Sequence, residues 1–88
     1  MKLNGSFVLR EVAGEWLAIP VGETALQFGG MIVLNPVSRV VWECLQQETD
    51  CRQILDAVTE RFDVDPAEAQ ADIEQLLEQM RREKLIAE

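Results

Sequence analysis

Histidine and tyrosine are absent from the 88 residues, cysteine occurs twice, and no apolar run approaches the length of a membrane span. Each shortage removes a class of function. Without histidine there is no imidazole to serve as general base, to activate a thiol or to complete a zinc set. Cys44 and Cys51 fall near the end of one helical pattern and the start of the next. No export signal is visible in Met1-Lys2-Leu3-Asn4-Gly5, so both thiols are expected to be reduced and partly buried, in a cytoplasmic protein. Cations are scarce too, with Lys and Arg totalling 8 against 16 Asp and Glu and a net charge of −8. Through residue 42, Lys2, Arg10 and Arg39 balance Glu11, Glu15 and Glu23, so all of the excess lies from Glu43 onward. Such a surface repels phosphate backbones and anionic headgroups, which argues against nucleic acid or a membrane as the partner.

The acidic residues do not build a site. Glu68 with Asp72, and Glu74 with Glu78, stand four apart on a helical pattern, the ordinary product of an acidic amphipathic helix and a weak metal site. Gly29 and Gly30 precede a strand, not a helix, and so lack the setting of a phosphate-binding loop. No catalytic residue, metal or cofactor is expected, and the protein is not expected to be an enzyme.

What the chain does contain divides at one short stretch, Met31-Ile32-Val33-Leu34-Asn35-Pro36. Before it, the alternations Phe7 to Ala13 and Trp16 to Val21 predict two strands joined by a tight turn around Gly14, with Pro20 ending the second. Gly22 to Gly30 is ambiguous, since Ala25 to Phe28 could extend a strand while glycines mark bends on both sides. Met31 to Leu34 is the third strand. After it, Asn35 caps a helix with Pro36 in the first position, and Val37, Val40, Val41, Cys44 and Leu45 recur at helical spacing. Thr49 or Asp50 opens a second helix whose stripe is Ile54, Leu55, Val58 and Phe62. Asp65, Pro66 and Glu68 form a capping-box start for a third, striped by Ala69, Ile73, Leu76, Leu77 and Met80 and closed by Arg81, Arg82 and Lys84. Leu85 and Ile86 are expected to fold back onto the core. The expected fold is a single α+β domain over residues 1–88, a three-stranded antiparallel sheet followed by three helices.

A three-stranded sheet has two edges, and Met31 to Leu34 carries neither the charge nor the proline that usually blunts one. An extended peptide laid beside it could take up its free backbone groups. The alternatives are that this strand is covered by the Ala25 to Phe28 segment or by a second copy of the chain.

Several stretches together resemble the PqqD-like proteins, named for a protein of pyrroloquinoline quinone biosynthesis. They are Val8-Leu9-Arg10, Gly30 to Asn35, Trp42-Glu43-Cys44-Leu45, Ile54 to Val58, Phe62-Asp63-Val64-Asp65, and Ala71-Asp72-Ile73 through Leu76-Leu77 to Leu85-Ile86. The resemblance covers nearly the whole chain. It implies a winged-helix-like domain acting as a non-catalytic peptide chaperone, the recognition element for the leader of a ribosomally made precursor peptide. In that family the leader docks as an extra strand against the third strand, in a cleft walled by the third helix, and is delivered to a modifying enzyme, commonly a radical SAM protein. Carried onto this chain, the strand is Met31, Ile32, Val33 and Leu34, and the wall is Ile73, Leu76, Leu77 and Met80 with Arg81 at the lip. The segment from Gly22 to Gly30 is longer than the corresponding link in the namesake proteins, which favours a broader peptide-modification role over cofactor synthesis itself. Two other readings share the outline. A winged-helix DNA-binding regulator would need a basic recognition surface where the helices carry Asp56, Glu60, Glu68, Asp72, Glu74 and Glu78. A dimerisation module would pair the same strand with its own copy.

Overall fold

The computed structural model describes residues 1–87. Strands β2 (Phe7–Val12) and β3 (Glu15–Pro20) form a hairpin, with Phe7 opposite Pro20 and Val12 opposite Glu15. The two loop residues, Ala13 at φ 53° and Gly14 at φ 83°, both sit in the left-handed region that a two-residue turn of matching twist requires. Strand β4 (Ile32–Leu34) joins β3 in antiparallel register, Trp16 opposite Leu34 and Ala18 opposite Ile32, giving the sheet order β2-β3-β4. The expected third strand is therefore present one residue shorter, Met31 lying just before it.

Helices α2 (Pro36–Cys44), α3 (Cys51–Arg61) and α4 (Pro66–Arg82) begin at the predicted caps. The Asn35 side chain accepts from the Ser38 N–H at 2.8 Å, and Asp50 accepts from Gln53 N–H at 2.8 Å. Asp65 accepts from Ala67 N–H at 3.0 Å, one residue nearer than a capping box would place the bond. Val40, Val41 and Trp42 of α2, Ile54 and Val58 of α3, and Ile73, Leu77 and Met80 of α4 meet in one core. One face of the sheet closes that core with Phe7, Ala18 and Leu34. The ring of Phe7 stands edge-on to Trp42, with centroids 5.1 Å apart, and edge-on to Phe28 at 5.7 Å.

Two features extend the expected plan. The Gly22 to Gly30 segment holds a fourth helix among the described residues, α1 (Glu23–Gln27), rather than an added strand. Its Thr24 hydroxyl accepts from the Ser6 N–H at 2.8 Å. The close approach needs Gly5, where a Cβ would stand 2.7 Å from that hydroxyl oxygen. The second addition is a two-stranded ribbon between β1 (Lys2–Leu3) and β5 (Ile86–Ala87), with Leu3 opposite Ile86. Leu85 and Ile86 are both buried, as their fold-back predicts.

Candidate functional site

Strand β4 is the last strand of its sheet, and among the described residues nothing pairs with its outer side. Each second residue of an edge strand turns its N–H and C=O away from its only partner, so β4 offers a short row of unused backbone groups. The covering by Ala25 to Phe28 that the sequence left open does not occur, because those residues belong to α1 and its cap.

Beside that edge runs a groove of about 390 Å³. One wall is β4 itself, through Ile32, Val33 and Leu34, and the facing wall is α4, through Leu76, Gln79 and Met80, with its C-cap residue Glu83. Phe28, Trp42 and Leu85 also line it. Trp42 is 2% exposed and wedged against Phe7, so this part of the lining is fixed by the core. At the far end of β4 the groove meets a second recess of about 500 Å³, formed by Pro36, Val37 and Val41 of α2, by Phe62, and by Asp72, Ile73 and Leu76 of α4. Asn35, Ser38 and Leu76 border both, so the two recesses adjoin and form a trough in two parts along α4.

The residues that sequence reasoning assigned to the site separate here. Ile32, Val33, Leu34, Leu76 and Met80 line the groove, and Ile73 lines only the second recess. Val33 is 62% exposed and Met31 61% exposed, whereas Leu34 is buried. Leu77 is wholly inside the core and reaches neither recess. Arg81 lies outside both linings and stands 3.9 Å from Glu78. Sequence reasoning missed Phe28, Asn35, Ser38, Trp42, Gln79, Glu83 and Leu85 in the groove, and Pro36, Val37, Val41, Phe62 and Asp72 in the second recess. For Gln79 and Glu83 a signal existed, since they follow Leu76 by three and seven residues on one helical face. For Phe28 there was none, because its segment has no periodicity.

The back of the site is held by charge. The Arg39 guanidinium stacks over the Trp16 ring at 4.0 Å and pairs with Glu43 at 2.9 Å. Glu43 also accepts from Arg61 at 2.8 Å, so one carboxylate links α2 to α3. That hydrogen bond raises the pKa of Arg61. Because Trp16 is the β3 residue opposite Leu34, the stack ties α2 to the strand that carries β4. Cys44 and Cys51 are free, and burial pushes the Cys44 thiol above its ordinary value. Among the described residues there is no group of three or more potential metal ligands, and no helix is long and apolar enough to cross a membrane.

Fold and site together define a small α+β domain with an uncovered strand edge running along an amphipathic helix. Residues 15–86 match the family described as Coenzyme PQQ synthesis protein D (PqqD). The chain belongs to that family. A solved structure, TbiB1 in complex with the TbiA(beta) leader peptide, shares its fold with a TM-score of 0.72 at 23% identity, covering 100% of both chains. No match was found among curated proteins.

Proposed function

We propose that this protein is a non-catalytic peptide chaperone, acting as one unit over residues 1–88. It binds the leader of a ribosomally synthesised precursor peptide as an added strand on β4 and presents it to a modifying enzyme of the radical SAM type, in the cytoplasm. The observation that carries this reading is the unpaired outer edge of β4 set along the apolar trough against α4. Membership of the PqqD family supports it, as does the likeness of fold to TbiB1, which is described in complex with a leader peptide.

The energetics fit a carrier that must let go. Each added backbone hydrogen bond is worth about 0.5–1.5 kcal/mol net, and each apolar anchor placed in the trough about 1.5–3 kcal/mol. Against these stands an ordering and association cost of about 4–15 kcal/mol. With a strand only three residues long, the balance is a reversible complex near the micromolar range.

Titration of isotope-labelled protein with the synthetic leader of a precursor encoded beside this gene tests the reading. The expected result is saturable movement of the amide resonances of Met31 to Leu34 and of Leu76 to Glu83, at the end of α4 and its cap. Changes confined to other elements, or none at millimolar peptide, would reject it.

A further inference from the structure

The chemistry of the leader segment itself is written on the trough, on the premise that the trough is the peptide site proposed above. Of the side chains that α4 and its C-cap residue give to the two recesses, Asp72 stands at one end and Glu83, the C-cap, at the other, with Leu76, Gln79 and Met80 between them. No lysine or arginine lines either recess. Asp72 and Glu83 are exposed and take part in no ion pair among the described residues; Lys84, beside Glu83 in the chain, is in no ion pair either but lines neither recess. Arg39 is committed to Glu43 and Trp16, and Arg81 and Arg82 both approach Glu78. An apolar trough with an unanswered carboxylate at each end complements an apolar segment with a cation at each end.

The spacing follows from helix geometry. From Asp72 to Glu83 a helix rises about 16 Å at ~1.5 Å per residue. An extended chain covers that distance in about five residues at ~3.3 Å each. Just past β4 the chain turns into α2, whose first residue Pro36 has no N–H to give, so backbone pairing stops there and the peptide beyond that point is held by its side chains alone. We infer that this protein selects an extended segment whose apolar core is flanked by two basic residues about five positions apart, one set against Asp72 and the other against Glu83.

A phage-displayed library of random peptides about twelve residues long, selected in parallel on the wild-type protein and on Asp72→Lys/Glu83→Lys, tests this. Both positions are solvent-facing, and circular dichroism checks that each variant is folded. The expected outcome is enrichment of Lys or Arg about five apart around an apolar core on the wild type, and of Asp or Glu at those positions on the variant. A synthetic peptide from the wild-type selection should then lose about two- to fivefold in affinity for each of Asp72→Asn and Glu83→Gln at low salt. The loss should shrink at high salt, where the screening length falls to about 3 Å. Apolar peptides with no charge preference, or with the same preference on both proteins, would overturn this inference and leave the groove reading standing. No enrichment on the wild type, or selected peptides whose binding survives Leu76→Lys, would overturn the groove reading itself.

Discussion

Leu76 and Leu77 are neighbours in sequence with opposite duties. Leu77 is completely buried in the core, whereas Leu76 is only partly buried and lines both recesses of the trough. Truncating each one separates fold from function. Leu77→Ala should cost about 2–5 kcal/mol of stability, as cavity-forming core changes do, read from the midpoint of chemical denaturation. Leu76→Ala should cost clearly less stability while weakening leader binding about tenfold, the loss of one apolar anchor worth ~1.4 kcal/mol or more, read by titration. The spacing of Ile73, Leu76, Leu77 and Met80 marks the apolar stripe of α4 correctly but does not say which members face the groove. An apolar stripe spans a third of the helix circumference, and its margins are assigned by whatever packs there. Here the margin at Leu76 happens to border an open strand edge. Arg81, one helical turn beyond Leu77, likewise lines neither recess.

At the scale of the element, the strand-to-helix junction does the positioning. Asn35 follows β4 directly, caps α2 and lines both recesses, so one side chain joins the helix start to the site. Asn35→Ala should lower stability by about 1 kcal/mol through the lost cap, measured by thermal or urea unfolding. It should also reduce leader affinity without abolishing it. Elements with a local chemical signature were legible in the sequence: the three caps at Asn35, Asp50 and Asp65, the tight hairpin, and the apolar stripes. Helix α1 was not, because its five residues bury no side chain and so leave no periodic trace. The β1–β5 ribbon was hidden for a different reason. Its strands are two residues each and pair across nearly the full chain, a relation that local pattern does not carry.

For the whole molecule, the first residues are part of the structure rather than a loose end. Leu3 is buried, its N–H donates to Leu45 at 2.9 Å, and the Met1 carbonyl accepts from Thr49 N–H at 2.9 Å. Asn4 N–H donates to the Leu85 carbonyl at 2.8 Å, closing the ribbon over the end of α4. Deleting residues 1–4 should therefore destabilise the protein by at least the ~2–5 kcal/mol of one lost core leucine, seen as a fall in melting temperature. A frayed terminus would leave the melting temperature unchanged.

The same ribbon puts Lys2 directly across from Ala87, two backbones lying side by side. A body whose entry and exit points coincide in this way can be spliced into a surface turn of a host protein while hardly stretching the host, since both joints leave from one spot. Leu85, two residues before Ala87, lines the groove, so the second joint of such a graft would leave from beside the trough and the linker there must run away from it.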